Sequence, residues 1–247
     1  MRAALALAAS ETRRLYRSPL AWLLLALGEG FMAVVFMLLV VRYLEHESEL
    51  RQIGVTGAVL VRYFASAELG ALFALPLVTM GILAGDRASG LLRFLYATPL
   101  SSSGLVLGKL LGVLSLAGAY VALAAIIPAT LFWGTAVDPG VYAANVLGLA
   151  LFTLLHACLG LLASALTRVP LAAGIGALTV SLLLWFADWA RRLDPDAAVI
   201  GGWSSLSRLR GFSAGLVSSA DVAWFVVTSL ACLALAVAWL DCERRLP

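Results

Sequence analysis

Ionisable side chains are rare in this chain, and three of them interrupt long apolar runs. Glu29 sits near the middle of one run, flanked by Gly28 and Gly30, and Glu68 lies in the outer third of the next. A charged residue at the centre of a membrane helix costs about 2.5–3.5 kcal/mol on insertion scales, so such groups face a bundle interior or water. Two readings stay open for both. They line a substrate path or work as a proton-linked switch, or each is protonated or hydrogen-bonded to a neighbouring helix. His156, alone in a later run, fits an interhelical hydrogen-bond donor better than a ligand. Lys109, one turn into its run, is expected to snorkel back to the headgroups, and His46 belongs to the polar run 45–49 and is expected to be solvated. No nucleophile–base pair or metal cluster accompanies these residues, which disfavours an intramembrane enzyme. Cys158 and Cys232 lie in apolar runs and Cys242 in the tail, so neither a disulfide framework nor a zinc site is expected.

The elements that must position these residues follow from composition. Of 247 residues, 62% are hydrophobic and 13% charged, whereas a soluble domain is nearer half apolar and a quarter charged. That excludes a soluble enzyme and leaves a polytopic membrane protein. A bilayer core of roughly 30 Å takes about 20 apolar residues per helix. Six stretches qualify or nearly do: 20–41, 64–85, 105–133, 141–166, 171–189 and 222–240. Backbone groups in lipid must be satisfied internally, and the alternation of a barrel strand is missing, so the expectation is an all-α protein with six transmembrane helices in one domain. Six of the seven tryptophans fall at or near predicted helix ends; Trp203 alone lies in a loop. The short apolar run 3–9 is followed by Glu11, Arg13, Arg14 and Arg17 rather than a cleavage site, so 1–19 reads as an amphipathic interfacial helix.

Six spans place both termini on one side. Taking that side as the cytoplasm gives ten basic residues inside and seven outside, which favours both termini cytoplasmic. The outer connections are two substantial loops, 42–63 and 190–221, and a tight turn at 134–140; the second loop has Pro195, Gly201, Gly202 and a half-apolar stretch 203–217 that either dips into the membrane or forms short surface helices. Gly108 and Gly112 form a GxxxG, and Gly160 with Ser164 repeats the spacing; packing within one subunit is favoured over a dimer contact. Pro76 and Pro128 are expected to kink their helices.

The one sizeable cytoplasmic loop is 86–104. Within it, Asp86, Ser89, Arg93 and Tyr96 form a polar stripe at helical spacing, and Ala88, Leu91, Leu92 and Leu95 an apolar one. A single helix over 86–98 is therefore predicted, stopped by Pro99, with Ser101–Ser103 capping the next span. Such a helix either anchors the loop to headgroups or presents a knob to a partner.

The run Pro76-Leu-Val-Thr79-Met80, then Gly85-Asp86-Arg87-Ala-Ser-Gly90-Leu-Leu, Ala97-Thr98-Pro99-Leu and Val106-Leu-Gly108-Lys109 resembles the signature of ABC-2 type transporter permeases. Arg17-Ser18-Pro19-Leu20-Ala21 and the stretch from Ser207 through Gly215 to Phe225 look most like the gliding-motility branch. Leu91, Asp86 and Gly81 depart from the family pattern, which has threonine, glutamate and, in that branch, arginine. The resemblance implies a permease subunit of the type V exporter kind in the bacterial cytoplasmic (inner) membrane. It pairs with a second copy or a related permease, on two ATPase subunits that bind ATP and Mg. Asp86, Arg87, Gly90, Leu91, Leu92, Leu95, Thr98 and Pro99 then belong to the coupling helix that docks on the ATPase. No cofactor is expected in this chain, which has no Walker-type loop; lipid and an extracytoplasmic accessory protein are further partners, and nucleic acid is not. A cytochrome-biogenesis type of six-helix permease and a non-transporting scaffold or receptor are the alternatives; the Thr-Met and Ser-Pro matches argue against the former.

Overall fold

The computed structural model describes residues 2–50, 52–193 and 201–245. Arg51 and Pro195 lie outside the described residues, as do the side chains of Arg191 and Arg192. Helices α1 (Arg2–Arg17), α2 (Pro19–Glu45) and α3 (Glu47–Leu50) come first, then a π-helical turn (Thr56–Leu60) that leads into α4 (Val61–Thr79). Short α5 (Ala84–Ala88) and α6 (Leu91–Ala97) follow, then α7 (Ser102–Ala129) with a 3-10 turn (Thr130–Trp133), α8 (Pro139–Leu166) and α9 (Pro170–Leu193). Among the described residues α10 (Ser205–Ser213) and α11 (Ser219–Arg245) follow. No strand occurs among the described residues. Among the described residues, six helical stretches are long and apolar enough to cross a membrane: Pro19–Glu45, Thr56–Ala88, Ser102–Trp133, Pro139–Leu166, Pro170–Trp189 and Ser219–Arg245. The protein is all-α, as the composition requires, and each predicted span runs on by one to several residues at one or both ends.

Capping explains two of the longer ends. The Ser101 hydroxyl accepts from the Gly104 amide, and the Asp138 carboxylate accepts from Gly140 and Val141, so these helices begin before their apolar runs do. The span α8 is the most enclosed; α4, α7, α9, α10 and α11 all pack on it. The span α2 lies at the rim against α4 and α7, with only Ala21, Leu25 and Met32 buried.

The second span is broken. Pro76 lies inside α4, and the helix stops at Thr79 and resumes at Ala84. Freed backbone groups at membrane depth need partners within the protein, and Ser164 supplies them. Its hydroxyl accepts from the Leu83 amide at 3.0 Å and the Ala84 amide at 2.9 Å, and donates to the Met80 carbonyl at 3.0 Å. One turn earlier Thr79 packs into Gly160, where an added Cβ would stand 2.0 Å from the threonine Oγ1. The Gly160–Ser164 spacing therefore seats the break of α4 against α8, an intrachain use.

Two expectations are corrected. The stretch 86–98 is not one helix: α5 and α6 meet at Gly90, whose φ of +78° is a left-handed conformation that favours glycine. Nor is α1 held by headgroups alone. Its inner stripe of Ala8, Glu11 and Leu15 is buried against α7, and the Tyr16 hydroxyl donates to the Ser115 carbonyl at 3.1 Å. In the connection between α9 and α11, α10 buries Leu209 and Phe212 against α8 at Gly148, where an added Cβ would come 3.1 Å from the Phe212 Cβ.

Two substitutions test the seat of the broken span. Ser164→Ala leaves two buried amides without an acceptor and is expected to cost about 1–3 kcal/mol. Gly160→Val is expected to lose at least as much through overpacking against Thr79, about 1–3 kcal/mol. Unfolding titrations in mixed micelles check both; wild-type stability in the two variants would refute this account.

Candidate functional site

The sequence motifs converge on one end of the bundle, the corner formed by α5, α6 and the start of α7. Its floor is a ring of four charges. Gly108 and Gly112 are on one stripe of α7, and added Cβ atoms there would come 2.9 Å from Leu7 and 2.7 Å from Glu11. The missing side chains let α1 approach closely. That closeness brings the Glu11 carboxylate 2.8 Å from the Lys109 ammonium. Lys109 also pairs with Asp86, Asp86 with Arg14 at 2.7 Å, and Arg14 with Glu11 at 3.0 Å. The charges alternate around the ring and sum to zero.

The Lys109 side chain is wholly buried, so the expectation that it snorkels to the headgroups is overturned. Snorkelling serves a cation without an internal partner; here two carboxylates reach it first, one from α1 and one from α5. Asp86 faces this interior and not the surface.

A second layer clamps the outside of the corner. The Arg87 guanidinium forks onto Glu243 at 2.9 and 2.7 Å and donates to the carbonyls of Ala165, at 2.9 Å, and Thr167 at the C-terminal end of α8. Arginine suits this because its planar donors match a carboxylate and leave others for carbonyls. Arg244, the next residue of α11, donates to the carbonyls of Leu100 at 2.9 Å, Tyr96 at 2.7 Å and Thr98 at 3.3 Å, and its guanidinium lies over the Tyr96 ring. The Tyr96 hydroxyl donates to Glu243 at 3.3 Å. Burial first, then the Glu243 carboxylate beside it, push the Tyr96 phenol up to about 12, so it remains a donor at physiological pH.

The predicted apolar stripe is divided. Leu92 is buried and Leu95 half-buried against the bundle core, while Leu91 and Phe94 point outward, Phe94 with 74% of its surface exposed. Thr98 and Pro99 are exposed, and the Thr98 hydroxyl closes the helix by donating to the Leu95 carbonyl at 2.6 Å. Beside the exposed pair lies an open cleft of about 520 Å³ with Ser89, Gly90, Arg93, Tyr96 and Arg168 in its wall. The corner is fixed to α1, α7, α8 and α11 and shows an apolar knob beside a basic cleft.

The intramembrane candidates lie elsewhere. His156 is buried; its Nδ1 donates to the Phe152 carbonyl at 2.8 Å and its ring lies 3.9 Å from that of Phe152, a structural arrangement with Nε2 unpartnered. Glu29 and Glu68 sit in the seam between α2, α4 and α7, apart from the corner.

Sequence reasoning missed Glu11, Arg14, Glu243, Arg244 and Phe94. The first four carry no spacing relation to 86–99; only an alternation of acid and base near helix ends marks them. Phe94 fell between the two stripes. Among known proteins, no family model matches the chain and no curated relative is found.

The ring yields a cycle of variants. Lys109→Met leaves two buried carboxylates short of a partner and is expected to cost about 3–5 kcal/mol. Adding Asp86→Asn to it is expected to recover part of that loss, read as a positive coupling energy in unfolding titrations of the single and double variants. Strict additivity would show that the ring does not act as a unit.

Proposed function

We propose that this chain is the membrane subunit of an ABC transporter of the ABC-2 kind. The observation that carries the reading is the corner: a two-helix turn between the second and third spans, tied to four other helices and bearing Leu91 and Phe94 outward. A motor that moves whole helices through one small contact needs a stiff lever, and a loop held by a buried charge ring and two arginine clamps is stiff. The motif order from Pro76 to Lys109 supports the same reading. In this reading ATP and Mg bind a separate ATPase subunit, since this sequence has no Walker-type loop.

In this reading the corner faces the cytoplasm of a bacterial cell, with both termini on that side. The basic residues gathered there (Arg13, Arg17, Arg93, Arg168 and Arg245 besides the paired ones) agree with the positive-inside rule. Two permease copies, or this chain and a related one, sit on an ATPase dimer. Hydrolysis drives export or transmits force to an external partner.

The coupling contact falls on Phe94 and Leu91 rather than on Leu95. Phe94→Ala is expected to weaken association with the partner ATPase by about 2 kcal/mol, roughly thirtyfold, without changing the chain's own melting temperature. Leu95→Asp is expected to lower that melting temperature instead, because it drives a charge against the core. Co-purification with the Walker-motif ATPase of a neighbouring reading frame, together with thermal melts, separates the two. If no such ATPase associates with the wild-type chain, the reading fails.

A further inference from the structure

Two arginines beside the corner carry charge that nothing in the chain uses. Arg93 on α6 and Arg168 in the turn between α8 and α9 make no side-chain hydrogen bond or ion pair among the described residues, and both stand in the wall of the open cleft of about 520 Å³. We infer that this cleft is a site for the phosphate headgroup of an anionic phospholipid such as phosphatidylglycerol, with part of one acyl chain laid in the groove between α8 and α9. The other charges of the wall are already engaged: Arg87 forks onto Glu243, and the Tyr96 hydroxyl donates to the same carboxylate. Three arginines against one glutamate leave the wall basic. Planar guanidinium donors match phosphate oxygens two at a time. The volume falls within the roughly 300–1,000 Å³ of small-molecule sites, which is room for a glycerol phosphate group.

The surroundings favour a lipid over a soluble anion or an acidic protein face. Arg168 sits next to Val169 and close to Leu171, both exposed apolar residues at the end of two spans. A second hollow of about 150 Å³ shares Arg87, Arg168 and Glu243 with the cleft and adds Leu166 and Trp239. Trp239 is half exposed near the end of α11, where an amphipathic ring prefers the headgroup layer. Leu166 in turn borders a groove of about 220 Å³ with Leu159, Leu162, Ala172, Ala177 and Val180 in its wall. Gly176 is also in that wall, and an added Cβ there meets nothing within 4 Å, so the groove is open at this point. Three hollows thus share walls in series, basic at one end and apolar at the other. A phospholipid has the same polarity, and basic pockets between spans bind its headgroups. A soluble phosphate matches only the first hollow, and an acidic protein face leaves the apolar ones uncovered. The site rests on the chain lying in a bilayer and not on coupling to an ATPase.

Native mass spectrometry of the full chain, released from detergent micelles with added dioleoylphosphatidylglycerol or dioleoylphosphatidylcholine, tests the assignment. Phosphatidylglycerol is expected to bind saturably and about fivefold or more tighter than phosphatidylcholine. Arg93→Gln and Arg168→Gln are each expected to weaken it by about fivefold. Both side chains are exposed and unpaired, so both variants are expected to melt as the wild type does. Arg42→Gln, at the end of α2 away from α1, removes the same charge elsewhere and is expected to leave binding unchanged. Gly176→Leu keeps both arginines but fills the groove and is expected to weaken phosphatidylglycerol binding. Glycerol phosphate at equal concentration is expected not to displace the lipid. Equal binding of the two lipids, an equal loss in Arg42→Gln, unchanged binding in Gly176→Leu or displacement by glycerol phosphate would each overturn the proposal. Unchanged binding in both cleft variants would overturn it too, and would leave the cleft to an acidic face of a partner protein.

Discussion

A lysine ammonium with no access to water governs the end of this bundle that carries α5 and α6. Lys109 is wholly buried, and an isolated buried charge is prohibitively costly in a low-dielectric interior, so its presence demands carboxylates. Glu11 and Asp86 meet that demand from two different elements, and Arg14 balances the second negative charge. The consequence is geometric. If α5 left α7 it would strand the Lys109 charge, and if α1 left it would take one carboxylate from Lys109 and the arginine from Asp86, so the N-terminal helix and the broken end of the second span are held as one piece.

The same economy recurs outside the ring. Adjacent residues on α11, Glu243 and Arg244, grip the corner from opposite sides, one through Arg87 and the other through three carbonyls. Helix C-termini leave carbonyls unpaired, and arginine donors satisfy them while adding favourable charge there. Ser164 does the complementary task for the amides at the start of α5. The Leu83 and Ala84 amides and the Met80 carbonyl at the break of the second span are thus met by a side chain of another span, and the broken helix is pinned as a corner. Leu91 and Phe94 are left outward at this pinned point.

Polar groups in the spans divide by environment. His156 points to its own backbone and stacks on Phe152, which leaves it a packing residue. Glu29 and Glu68 lack such satisfaction. They share a seam with two tyrosines at the rim of the bundle, where α2 is held by little buried surface. The ring at the corner is thus completely paired, whereas these two carboxyl groups have no ion pair among the described residues.

Composition and apolar run length were enough to establish six helices, because hydrocarbon admits few alternatives for a hydrogen-bonded backbone. Gly160–Ser164 and Gly108–Gly112 were legible as close-packing positions, and Ser101 as a cap, since those signals are local. Gly90 was visible too, yet the polar stripe over 86–96 continued across it and pointed to one helix; a periodic pattern does not reveal a single residue with positive φ. The fate of Lys109 was beyond the sequence. Its partners lie 98 and 23 residues away, and no local pattern tells whether a lysine reaches water or an acid. Whether Leu92 or Phe94 faces the core was likewise settled by the turn at Gly90 and the grip of α11. Residue type and run length determined which helices form; only the packed bundle decided which charges meet, because pairing depends on distances that the chain sets after it has folded.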